Sequence, residues 1–183
     1  LIDMVNAYSI LAQEGTLHPQ TLVLEVKDSQ GKVLESAKDV SRSIIDSQPA
    51  RLINDILSDI EARSHLYQNS LGLTLVPGQD VSLKTGTSND YRDAWVFGYT
   101  PSLVTGVWAG NNNNQPMERR GSSILAALPI WNAFMKEALK DKEAETFNKP
   151  EPSVVQKPIL LGDYLSGQHI HSILYYVDRR NPL

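Results

Sequence analysis

Residues 84–93 read K-T-G-T-S-N-D-Y-R-D, and the apolar run A-W-V-F-G-Y follows at once as residues 94–99. A lysine, several hydroxyls, a glycine, an arginine and two carboxylates are packed into one short polar stretch. On either side the sequence reads as strand. Val81 to Thr87 and Ala94 to Tyr99 are rich in β-branched and aromatic residues, and Leu103 to Ala109 repeats the pattern after the turn-like Thr100-Pro101. Links this short leave no room for a crossover, so the three strands form an antiparallel meander. The polar patch then straddles the end of one strand and the connection to the next.

Outward from this meander the periodicity changes. Leu1, Val5, Tyr8 and Leu11 fall at helical spacing across residues 1–13, with Gly15 as the stop. Thr21 to Val26 reads as a strand, D-S-Q-G as a turn, and Lys32 to Leu34 as the returning partner. Ser47 with Pro49 opens a second helix whose Leu52, Ile53, Ile56, Leu57 and Ile60 make one apolar stripe. Residues 66–80 read as loop. Asn111 to Gly121 is a second polar loop, with the asparagines 111–114 as a turn. Ser122 or Ser123 caps a last helix, with Pro129 near its first turn and Ile130, Trp131, Phe134, Met135 and Ala138 facing inward. The expected fold class is α+β: an antiparallel sheet packed with helices. The expected division is a domain over 1–140, then a linker and C-terminal tail over 141–183, with a strand at His171 to Val177.

Composition sets bounds on function. The chain of 183 residues is 41% apolar, enough for a core, and its net charge of −4 lacks the basic clustering that nucleic acid requires. With no cysteine, a disulfide framework and a thiolate metal site are both excluded. His169 and His171 share a strand face at a spacing that metals use, but no carboxylate or cysteine partner is evident beyond Asp163, so no metal and no cofactor is expected. His18 and His65 carry no signal. No apolar run approaches the roughly 20 residues that span a bilayer. The chain opens at Leu1 within a helical pattern, and the expectation is a piece of a longer protein.

The chemistry of Lys84 to Thr87 follows from residue type. A lysine on a strand edged by hydroxyls can hold a carboxylate and polarise a neighbouring hydroxyl. A glycine beside it lets a substrate backbone come close, and the next N–H can point at a developing oxyanion. Asp90, Arg92 and Asp93 read as a turn with a local ion pair, and Trp95, Phe97, Trp108 and Trp131 as core or sheet-face residues.

The run K-T-G-T-S-N-D-Y-R-D-A-W-V-F-G-Y-T-P-S-L-V-T-G-V-W-A-G-N resembles the third-motif region of class A (bifunctional) penicillin-binding proteins. Residues 1–15 are similar to a helix of that family, and S-S-I-L-A-A-L-P-I-W-N-A-F-M to its closing helix, so the resemblance spans about residues 1–140. It implies a serine DD-transpeptidase that cross-links peptidoglycan stem peptides ending in D-Ala-D-Ala and is acylated by β-lactams. Lys84 and Thr87 take the catalytic positions, and Thr85, Gly86 and Thr87 bind substrate. Lys84 would sustain the hydrogen-bond network, Thr85 would hold the terminal carboxylate and Gly86 would leave room for backbone. Thr87 would offer its N–H to the oxyanion and its hydroxyl to the carboxylate. The resemblance also implies a glycosyltransferase domain and an anchor elsewhere in the parent protein, with the site at the outer face of the cytoplasmic membrane.

In that family S-x-x-K and S-x-N precede K-T-G. Only Ser29-Gln30-Gly31-Lys32 fits S-x-x-K upstream of Lys84, and it falls in a hairpin turn, whereas a serine and its lysine base must face each other across one helical turn. Tyr67-Gln68-Asn69 fits Y-x-N but lies too close to Lys84. The nucleophile is therefore expected before Leu1, and the isolated chain is expected to be inactive, with an apolar face left uncovered. Two alternatives stay open: a non-catalytic scaffold or binding module built on this fold, and a serine β-lactamase-like fragment.

Overall fold

The computed structural model describes residues 1–118 and 121–152. The expectations placed on the tail, namely Asp163, His169, His171 and the strand from His171 to Val177, lie outside the described residues. Residues Leu1–Pro150 form one compact unit.

The elements are α1 (Ile2–Ala12), β1 (Thr16–Leu17), β2 (Glu25–Lys27), β3 (Val33–Ser36), β4 (Arg42–Ser43), α2 (Ser47–Ser58), α3 (Ile60–Tyr67), β5 (Ser82–Thr87), β6 (Asp93–Tyr99), β7 (Val104–Gly110), α4 (Ser123–Ala126) and α5 (Leu128–Ala138). The expected meander is present as an antiparallel sheet in the order β5-β6-β7. Its register pairs Lys84 with Phe97 and Gly86 with Trp95, and Thr85 with Val96 and Thr87 with Ala94.

Strand alternation divides these residues between two faces. On one face Leu83, Ala94 and Val96 are buried with Leu128, Trp131, Met135 and Leu139 from α5 and its end. The other face packs on α1: Tyr8 stacks on Phe97 with ring centroids 4.9 Å apart, and Tyr99 joins Ala12 and Phe147 in a second cluster. The sheet thus lies between α1 and the α4–α5 pair.

Two helical stripes differ from expectation. In α2 the inward residues are Ala50, Asn54 and Ser58, whereas Leu52, Ile53 and Ile56 point outward, with Ile56 66% exposed. Small and polar residues on the inner side let the helix approach closely, and Asn54 meets every demand of burial. Its side chain accepts the Tyr99 phenol proton at 2.7 Å and donates to Leu11 O at 2.9 Å, while its backbone carbonyl accepts from Ser82 Oγ at 3.0 Å. In α5, Trp131 and Met135 are buried as expected and Ala138 is half-buried, but Ile130 and Phe134 are exposed because Leu128 and Leu139 complete the inner row. The expectation of an uncovered apolar face therefore matches the outer side of α2, together with Ile60 and Leu66 of α3.

Of residues 66–80, expected as loop, 66–74 instead finish α3 and continue as a 3₁₀ segment over Gln68–Thr74, while 75–80 are loop with a turn at Pro77-Gly78. Arg63 holds this region together, donating to Leu57 O at 2.7 Å, Val81 O at 2.8 Å and Thr74 O at 3.1 Å. The hairpin starts later than expected, with β2 over Glu25–Lys27 and β3 over Val33–Ser36, and its turn is fixed by the Asp28 carboxylate accepting from Gln30 N and Lys32 N. The pair β1–β4 had no sequence signal. Residues 143–149, linker-like in composition, lie along the compact unit. Glu145 O accepts from Asp80 N at 3.1 Å, Phe147 N donates to the Asp80 carboxylate at 3.3 Å, and Lys149 Nζ meets Asp55 at 2.9 Å.

Candidate functional site: the outer strand of the sheet

β5 has one strand neighbour, β6, and is an edge strand among the described residues. Its first half is buried through Ser82 and Leu83, and its second half, from Lys84 onward, rises to the surface. The change is set by the sequence, because the apolar V-S-L anchors one end while K-T-G-T has little that burial would reward.

Alternation places Lys84 and Gly86 on the α1 side and Thr85 and Thr87 on the α4–α5 side. Lys84 is exposed, and its Nζ donates to the carbonyl of Thr85 at 2.5 Å. Among the described residues it has no carboxylate partner.

Gly86 is set apart by what does not surround it. A Cβ added there would meet only Trp95 Cβ, at 3.8 Å, an ordinary contact. Nothing in the described protein requires glycine at this position, so any requirement comes from the open side of the strand.

The two threonines are held from behind. Thr85 Oγ1 lies 3.0 Å from the phenol oxygen of Tyr67, at the end of α3, and Tyr67 is only 6% exposed. Thr87 Oγ1 accepts from the backbone N–H of Ser123 at 3.0 Å and donates to Ser123 Oγ at 3.1 Å. The Thr87 hydroxyl, expected at a substrate carboxylate, is here engaged with the first turn of α4. The sequence signals Ser123 only as a helix cap; in the structure Ser122 takes the N-cap position without a side-chain bond, and Ser123 spends its side chain on Thr87. Beside Thr85 a shallow pocket of about 200 Å³ opens between α3 and β5, lined by Arg63, Leu66, Tyr67, Leu83 and Lys84.

The connection beyond Thr87 is rigidly built. Asp93 Oδ2 accepts from Ser88 Oγ at 2.8 Å and Asp93 Oδ1 from Trp108 Nε1 at 2.9 Å. These two bonds, Trp108 first, hold the Asp93 carboxyl below its ordinary pKa. The local ion pair is Arg92 with Asp90 at 3.7 Å, and the Arg92 guanidinium also reaches the carbonyl of Asn114. The turn reading therefore holds for Asp90 and Arg92, whereas Asp93 opens β6 and is bound to hydroxyl and indole rather than to Arg92.

Ser29 lies exposed in the β2–β3 turn, with no helix to set it against Lys32. Tyr67 and Asn69 are separated in role: the tyrosine is buried against Thr85, and Asn69 is exposed on the 3₁₀ segment. Among the described residues no group of histidines and carboxylates is placed to hold a metal.

An antiparallel sheet with helical layers, and an edge strand carrying lysine, hydroxyl, glycine and hydroxyl in succession, defines a β-lactamase/DD-transpeptidase-like fold. The chain belongs to the family described as the penicillin binding protein transpeptidase domain, whose pattern matches residues 1–136. It is similar to penicillin-binding protein 1A of Mycobacterium tuberculosis, with 34% identity over 160 residues, covering 82% of this chain and 19% of that protein. Penicillin-binding protein 1A of Mycolicibacterium smegmatis is 36% identical over 162 residues, covering 82% of this chain and 20% of that protein. The solved structure of the penicillin-binding protein PonA1 from Mycobacterium tuberculosis superposes with a TM-score of 0.67 at 32% identity, over 86% of this chain and 45% of that one. The chain thus spans about a fifth of the length of these curated relatives.

Proposed function

We propose that this chain supplies the third-motif wall of a peptidoglycan DD-transpeptidase, in which a serine acyl-enzyme forms on a nucleophile located before Leu1. The observation that carries the reading is the character of β5. It places a cation, two hydroxyls and a glycine that the fold itself does not require along one open sheet edge. In this reading Thr85 and Thr87 donate to the terminal carboxylate of a D-Ala-D-Ala stem peptide or of a β-lactam. Gly86 lets the substrate backbone lie against the strand, the Thr87 N–H faces the developing oxyanion, and Lys84 turns from its own backbone toward the upstream hydroxyls.

The partners proposed are the upstream remainder of the transpeptidase domain and a glycosyltransferase domain in the parent protein. The uncovered outer side of α2 and α3 offers the remainder an apolar surface to pack on. The proposed location is the outer face of the cytoplasmic membrane, with the anchor outside the described residues, none of whose helices is long and apolar enough to cross a membrane.

A fluorescent penicillin followed by a denaturing gel tests the reading. The full-length protein carrying this chain is expected to give a stable labelled band, and the 183-residue chain alone to give none. An unlabelled full-length protein refutes the transpeptidase reading. Rapid hydrolysis of the label would favour the β-lactamase alternative, and labelling of the isolated chain would show that the nucleophile lies within it.

A further inference from the structure

Tyr67 is the buried polar group that the reading above leaves without a task. Its ring sits in the core cluster with Leu83, Val96 and Trp131, yet its one hydroxyl emerges beside the rim and meets Thr85 Oγ1 at 3.0 Å. Burial of the ring is explained by packing. The hydroxyl is not, since phenylalanine would fill the same space without a polar group to satisfy.

We propose that Tyr67 is a positioning residue that makes Thr85 a hydrogen-bond donor toward carboxylate ligands. The inference rests on the assignment of Thr85 and Thr87 to a substrate carboxylate. A threonine hydroxyl has a single proton. A carboxylate only accepts, so Thr85 must give that proton to the ligand, and the contact with Tyr67 is then made by the phenol O–H donating to Thr85 Oγ1. Donation by Tyr67 fixes the oxygen from behind and leaves the proton pointing outward.

Thr87 is arranged in the same sense by a different element. The Ser123 backbone N–H donates to its oxygen, so its proton can leave Ser123 Oγ for a ligand while the oxygen stays in place. Residues two apart on a strand are separated by about 7 Å. A carboxylate whose two oxygens each take a hydrogen bond of about 2.7 Å spans that gap. Two hydroxyls held as acceptors from two different helices, α3 and α4, are thereby a two-point clamp for a carboxylate, and Tyr67 sets the half that lies nearer Lys84.

The test is acylation of the full-length protein by a penicillin and by its methyl ester, with wild type and Tyr67→Phe compared. The wild type is expected to prefer the free acid. Tyr67→Phe is expected to lose about five- to tenfold in apparent affinity for the acid, with little change in the limiting acylation rate and none for the ester. In a Thr85→Val background the same change is expected to have no further effect, which separates positioning from a loss of folding. Equal losses for acid and ester, or an undiminished loss in the Thr85→Val background, would assign Tyr67 to packing and overturn the proposal. An unchanged acid-to-ester preference in Tyr67→Phe overturns it too, while leaving the carboxylate role of the threonines intact. A wild type without any preference would instead overturn that role, and the proposal with it.

Discussion

Two glycines on neighbouring strands are demanded by opposite things. A side chain at Gly98, in the middle of β6, would run into the indole of Trp131 at 2.4 Å, and that indole donates to the Gly98 carbonyl at 3.3 Å. A side chain at Gly86, on β5, would touch nothing closer than 3.8 Å. The first glycine exists so that a helix can lie on the sheet. The second is free of any internal demand, and β5 is open on the side away from β6. The same residue type thus serves the core at one position and stands in the proposed site at the other, and only its surroundings tell them apart.

The largest effect should come from removing the partner of Gly98. Trp131 is fully buried, and Trp131→Ala is expected to cost about 3–5 kcal/mol, measured by chemical denaturation of the chain. Gly98→Ala should follow at about 1–3 kcal/mol, because the indole must move or the strand must bend. Gly86→Ala should stay within about 0.5 kcal/mol of wild type in the same measurement. In the full-length protein, however, it should slow penicillin labelling by about 100-fold, the usual penalty for a misplaced reacting group. If Gly86→Ala unfolds the chain as readily as Gly98→Ala, the contrast between the two glycines collapses.

The smallest effect concerns pH. Glu14 is held below the ordinary carboxylate pKa, first by its hydrogen bond from Arg51 at 2.8 Å, and Asp93 by the Trp108 indole and Ser88 hydroxyl. A carboxyl whose pKa is depressed by folding contributes stability above its unfolded pKa of about 4, and loses it as pH falls through the folded value. The melting temperature should therefore hold steady from neutral pH down to about 4.5 and decline below it. Glu14→Gln with Asp93→Asn should flatten that decline slightly. A decline of the same size in the double variant would mean that other carboxyls carry it.

The strands β5, β6 and β7 were expected within a residue or so of their observed ends, since strand alternation is a local property and the turns between them are short. The apolar stripe of α2 was equally visible, but a stripe shows only that one side of a helix is apolar, not which side the sheet receives. Asn54, with three hydrogen bonds to three different elements, reads in sequence as a polar interruption. Residues 143–149 read as linker from their composition, yet their backbone groups find partners around Gln79 and Asp80, which composition cannot register.

The sequence by itself determined that a lysine, two threonines and a glycine would stand in line at the end of a strand, and the family to which such a line is similar. Only the tertiary structure decided that Tyr67 stands behind Thr85 and Ser123 behind Thr87. The reason is physical: alternation and turn chemistry act over a few residues, whereas these partners lie 18 and 36 residues away from the threonines they hold. Contacts of that reach are set by how helices pack on the sheet, and no period in the chain encodes them.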